Sequence, residues 1–79
     1  MRVMRFLEQK MKVFSERLRD VRNDAGMSQK DVAEMVGITA SAYANYEQNL
    51  REPSLEVLVK ICAAFDVSAD FLLGIEDWV

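Results

Sequence analysis

An all-α fold of five short helices is predicted for this chain, and three observations carry the prediction. Apolar residues recur at spacings of three and four along most of its length, which is the period of one helix face. Serine or threonine stands where each new helical period begins, at Ser28, Thr39, Ser54 and Ser68, and these residues suit N-caps. Three glycines and one proline leave few long loops. Apolar residues make up 51% of the 79, enough for a compact core and too many for a disordered segment, and the length allows one domain.

The elements follow in order. Residues 1–13, MRVMRFLEQKMKV, are basic and apolar and form an N-terminal extension. A secretory signal needs a longer apolar core and a small-residue cleavage site. Met4, Leu7, Met11, Phe14, Leu18, Val21 and Ala25 alternate at three and four, so the extension either lengthens the first helix and offers a partner surface or is a loosely ordered leader. Met11 is then an alternative natural start. Residues 14–25 form the first helix, with Leu18, Val21 and Ala25 inward and Gly26 as its stop. Leu55, Leu58, Ile61, Cys62 and Phe65 mark the inward face of a helix over 55–65, after Pro53 and the cap Ser54. A last short helix, ADFLLG, ends at Gly74, and residues 75–79 are a tail.

The centre of the chain is Gln29 to Glu47, QKDVAEMVGITASAYANYE. Val32, Ala33 and Val36 form one apolar stripe, and Tyr43 and Tyr46 form a second. Gly37 between them permits a sharp turn at positive φ. Small Ala33, four residues earlier, allows a close helix crossing. Ser28 with Asp31 makes an acidic capping box, and Thr39 caps the next helix. The pattern is that of a helix-turn-helix, whose second helix fits the DNA major groove.

Arg22 and Glu47 are the unusual members of the inward stripes. Arg22 lies between Leu18 and Ala25, and Glu47 between Tyr43 and Leu50. A lone cation and a lone anion so placed predict a mostly buried ion pair; the alternative is two solvated side chains at the stripe edges. Asn49 sits where the third helix must end, and asparagine tolerates the left-handed conformation.

Composition excludes several classes. There is one cysteine, Cys62, and no histidine, so an internal disulfide is impossible and a metal site or metal cofactor is not expected. Cys62 reads as a small core residue. No apolar run reaches the ~18 residues of a membrane span, and a reducing cytoplasm is the expected compartment. There is no glycine-rich phosphate loop and no nucleophile with a general base at suitable spacing, so an enzyme is not expected. The net charge of −3 is unevenly spread: +3 over residues 1–25, −2 over 26–65 and −4 over 66–79. A local DNA-facing surface is therefore compatible with an acidic chain.

The signatures GMSQ, VAEMVGIT, YE, REPS and FLLG occur in order across residues 14–74, and this segment resembles the Cro/phage-repressor type of helix-turn-helix domain, the xenobiotic-response-element family. The resemblance implies a five-helix lambda-repressor-like fold and sequence-specific DNA binding as a dimer, most often in repression. It implies that Gln29 touches the DNA backbone and that Thr39, Ala40, Ser41 and Asn45 face the groove. Arg22 and Glu47 fall at the family's frequent buried pair, and Asn49 and Arg51 in the loop that commonly reaches phosphates. A glycine is frequent where Asn49 stands.

Further roles follow from residue chemistry. Phosphate donors are Gln29, Lys30, Asn49, Arg51 and the helix N-termini. The outward face of the third helix, Ala40, Ser41, Ala44, Asn45 and Gln48, has no Arg or Lys, so the arginine–guanine contact is missing there. Asn45 pairs well with adenine, and Ala40 or the Thr39 methyl packs on thymine. The expected partner is double-stranded DNA, a palindromic operator biased to A·T at contacted positions. A homodimer is expected through either the leader (Met4, Phe6, Leu7, Met11) or the tail (Leu72, Ile75, Trp78, Val79), with no small-molecule effector domain. The competing reading is a protein-interaction module on the same fold, an antirepressor or regulatory subunit, which the acidic balance and the uncharged third helix favour.

Overall fold

The computed structural model describes the backbone of residues 2–77 and the side chains of 12–77. Five helices follow one another: α1 (Arg2–Asp24), α2 (Gln29–Val36), α3 (Ala40–Glu47), α4 (Leu55–Phe65) and α5 (Ala69–Leu72). There is no strand among the described residues. α2 packs most closely on α3, α1 crosses α3 and α5, and α4 closes the other side against α2 and α5.

One core holds the five together. Phe14 and Leu18 enter it from α1, Val32, Ala33 and Val36 from α2, Tyr43 and Tyr46 from α3, Ile61 from α4 and Leu72 from α5. α2 to α5 are each too short to persist alone in water and depend on this shared core. The tyrosines meet edge to face, with ring centroids 6.3 Å apart. Cys62 is half-buried against this core, and burial pushes its thiol pKa up.

The helix starts follow the predicted caps. Ser28, Thr39, Ser54 and Ser68 each accept a hydrogen bond from the backbone N–H three residues on. At Ser28 the box is complete: its own N–H donates to Asp31 at 3.0 Å, and that bond holds the Asp31 carboxyl below its ordinary pKa. Asp66, at φ +55°, ends α4 in the left-handed conformation, a stop that the apolar pattern does not signal.

Three residues depart from the predicted stripes. Ala25 is exposed because α1 ends at Asp24 and the chain has already turned. Leu50 is 66% exposed, because Asn49 turns left-handed at φ +59° and carries the chain off the α3 face. Leu55 is 80% exposed: it opens α4 before the core-facing stripe, which starts instead at Val57 and Leu58.

The backbone of residues 2–13 is helical and forms the first part of α1, and Phe14 is the first core residue among those whose side chains are described. The side chains of Met4, Phe6, Leu7 and Met11, and all of Trp78 and Val79, lie outside the described residues. Of the other two tail candidates, Leu72 is fully buried in the core and so is not free to be a dimer contact, because α5 turns it inward, whereas Ile75 is exposed.

Candidate nucleic-acid interface

The geometry begins at the turn. Gly37 has φ +77°, and the Ile38 N–H reaches back to Ala33 O at 2.9 Å, closing α2. Thr39 then caps α3 within two residues. A corner this short locks the angle between α2 and α3.

The inner face of α3 is fixed by α1. Glu47, buried, takes two hydrogen bonds from the Arg22 guanidinium, at 2.6 Å from Nε and 3.0 Å from Nη2. The Arg22 side chain is 14% exposed and that of Glu47 2%. Gln29 Nε2 donates a third bond to Glu47 at 3.1 Å, so α1, α2 and α3 meet on one carboxylate. Burial pushes the Glu47 carboxyl up, and the bonds from Arg22 and Gln29, with the nearby Tyr43 hydroxyl and the charge of Arg22, outweigh it and hold its pKa below the ordinary range. The Tyr43 hydroxyl is buried beside this pair without a hydrogen bond of good geometry; burial and the carboxylate push its pKa far above the phenol range.

Two more α1 side chains hold the end of α3. Ser15 Oγ donates to Tyr46 O at 2.7 Å, and Arg19 Nη2 donates to Glu47 O at 3.1 Å. These carbonyls are among the last of the helix and lack partners within it. Cations and donors there also suit the negative end of the helix dipole. Neither Ser15 nor Arg19 was legible as a support, since each bonds to backbone some thirty residues away.

The outer face of α3 is left open. Thr39, Ala40 and Ser41 are exposed, and Asn45 is half-buried one turn on. The Asn45 carbonyl accepts from the N–H groups of Leu50, at 2.9 Å, and Arg51, at 3.3 Å. That residue thus organises the loop carrying Asn49 and Arg51, both exposed. Lys30 is exposed at the start of α2. Gln29 is half-buried with one amide N–H committed to Glu47; its second N–H and its carbonyl are the groups it has for any other partner. The side chains that meet are therefore Arg22, Gln29 and Glu47, behind α3; Thr39, Ala40, Ser41 and Asn45 share its front, and the side chains of Lys30, Asn49 and Arg51 make no described bond to theirs. No group of acidic, cysteine or histidine side chains that could hold a metal occurs among the described residues. No helix there is long and apolar enough to cross a membrane.

Comparison with known proteins matches this arrangement. The helix-turn-helix family model fits residues 18–72. The chain is 43% identical over 61 residues to the SPbeta prophage-derived HTH-type transcriptional regulator YonR of Bacillus subtilis, a match covering 77% of this chain and 56% of that one. It is 38% identical over 59 residues to the cryptic phage CTXphi transcriptional repressor RstR of Vibrio cholerae, covering 75% and 53%. The fold superposes on the restriction-modification controller protein C.AhdI of Aeromonas hydrophila with a TM-score of 0.73, at 31% identity, over 78% of this chain and 94% of that one. The chain spans about half the length of the curated relatives it matches. Those relatives are transcriptional regulators rather than enzymes. With its capped α2, glycine corner and braced α3, the chain belongs to the Cro/phage-repressor type of the helix-turn-helix family.

Proposed function

We infer that this chain is a sequence-specific DNA-binding transcriptional regulator that represses as a homodimer in the cytoplasm, with residues 14–74 as the DNA-reading unit between an extension and a tail. One observation carries the reading: α3 is held from behind by Glu47, Arg22, Arg19 and Ser15, while Thr39, Ala40, Ser41 and Asn45 are left on its open side.

Each residue then has a role. Asn45 gives a bidentate amide to an adenine edge, and Ala40 and the Thr39 methyl pack on a thymine methyl. Ser41 donates or accepts at a neighbouring base. Lys30, Arg51, Asn49 and the remaining amide groups of Gln29 bind phosphates, as do the N-termini of α2 and α3. Backbone contacts set the register and base contacts the specificity. Two subunits address half-sites ~34–36 Å apart, or a multiple of that, in a palindrome.

The test is a binding selection followed by gel shifts at low salt. Enriched half-sites biased to A·T at contacted positions support the reading; G·C-dominated half-sites defeat it. A competing function, a protein-interaction module, draws on one observation: the open side of α3 carries no Arg or Lys. It predicts no shift with any selected DNA.

A further inference from the structure

The first turn of α3 meets its surroundings with methyl groups. Thr39 commits its hydroxyl oxygen to the cap, accepting from the Ala42 N–H at 3.0 Å. That bond fixes χ1 of a β-branched side chain, and with it the methyl carried on the same carbon. Ala40, next along, has only its own methyl to offer, and both residues are exposed. Ser41 follows, also exposed, with a hydroxyl that either donates or accepts. In the major groove the C5-methyl of thymine is the apolar group a base pair presents, and an unmodified G·C pair has none. 5-Methylcytosine carries the same methyl at the same ring position.

We propose that the first turn of α3 recognises this methyl itself: its ligand is a 5-methylpyrimidine, and 5-methylcytosine·guanine replaces thymine·adenine there. The inference rests on the DNA-reading part of the proposed function and adds regulation to it, because cytosine methylation then creates half-sites that the unmethylated sequence lacks. The exchange alters the hydrogen-bonding edge, turning thymine O4 into an amino donor and the adenine amino group into guanine O6. Two methyls are blind to that change, and the Ser41 hydroxyl serves either pattern. Asn45, one turn on, is not blind to it, because its amide needs both N6 and N7 of adenine. The methylated pair is therefore accepted opposite Thr39 and Ala40 and refused opposite Asn45.

The test titrates the selected operator, changed at a single base pair of one half-site at a time, by fluorescence anisotropy. Deoxyuridine at the thymine facing Thr39 and Ala40 should raise Kd about three- to tenfold, the effect of removing one buried methyl. Cytosine·guanine at that pair should bind no better than deoxyuridine·adenine, and 5-methylcytosine·guanine should bind at least about threefold tighter than its unmethylated form. At the pair read by Asn45, methylation of a substituted cytosine should recover nothing. Thr39→Ser keeps the cap oxygen and deletes only the methyl. Combined with Ala40→Gly, it should bind the thymine and deoxyuridine operators within about twofold of each other, a ratio that a general loss of stability does not move. Operator thymines all indifferent to deoxyuridine, a thymine-to-deoxyuridine gap that the double variant keeps, or 5-methylcytosine no better than cytosine would overturn the proposal. Tight binding of the unmodified operator beside any of these results sinks the methyl reading alone. Failure to bind any selected DNA sinks the proposed function, and the methyl reading with it.

Discussion

Glu47 ties three helices together through one carboxylate. Removing Arg22 leaves that carboxylate buried with only Gln29 donating to it at good geometry. Breaking a buried pair from one side costs ~3–5 kcal/mol, so Arg22→Ala should lose that much in urea denaturation. A loss under ~1 kcal/mol, the worth of a surface pair, would show the bridge to be dispensable. Arg22→Lys should recover little, since an ammonium cannot reproduce the two-pronged contact and the third bond to Met27 O. The pH dependence has a definite sign. The folded-state pKa of Glu47 lies below its unfolded value of about 4.3, so its contribution is complete above that value and is lost as pH falls through the folded pKa. Glu47→Gln should be less stable at neutral pH and should show a shallower loss of stability in acid, measured by urea midpoints across that range. The ion pair was legible from two charges standing on apolar stripes. The third donor was not: Gln29 has the look of an exposed helix start, and only the close crossing of α2 over α3 brings its amide to Glu47.

At the scale of the element, local sequence carried most of the information. Caps and stops act within four residues, so Ser28, Thr39, Ser54, Ser68 and Gly37 could be read directly. What failed were the stripe ends. Leu50 and Leu55 continue an apolar period on paper, yet a left-handed Asn49 and a fresh helix start redirect the chain between them. Periodicity knows the face of a helix, and it is silent on where that face runs out of neighbours. Gly37 offers a clean experiment on the corner. A Cβ there would meet no heavy atom within 4 Å, so its only penalty is the positive φ. Gly37→Ala should cost roughly 1–2 kcal/mol in thermal or urea unfolding with the fold intact. A neutral result would mean that the corner relaxes, and then the angle of α3 is not set by it.

For the whole molecule, the issue is how an acidic chain meets a polyanion. Among the described residues, the arginines of α1 are engaged by bonds within the chain. Arg17 lies 4.5 Å over the Phe71 ring, bonds to the carbonyls of Phe71 and Glu76 and pairs with Asp77, while Arg19 and Arg22 hold α3. Lys30 and Arg51 are the cations left beside α3. With two phosphates neutralised per subunit, a dimer should show a log–log salt slope of about −4 in filter binding or fluorescence titration. A slope steeper than about −8 would bring the basic extension onto the DNA. On the proposed reading, so few cations leave recognition to the outward residues of α3. The outward residues of α3 were readable from the helical period, because that face makes no demand on the core. How α1 braces it from behind was not, since those bonds join residues far apart in the sequence.

The most direct measurement is a titration of wild type and Asn45→Ala against the selected operator and its single-base variants. An Asn45 that reads adenine loses ~1–3 kcal/mol on substitution, the loss concentrated at one A·T position per half-site and absent where that position is already mutated. An equal affinity for every operator variant before and after the substitution would contradict base reading by α3.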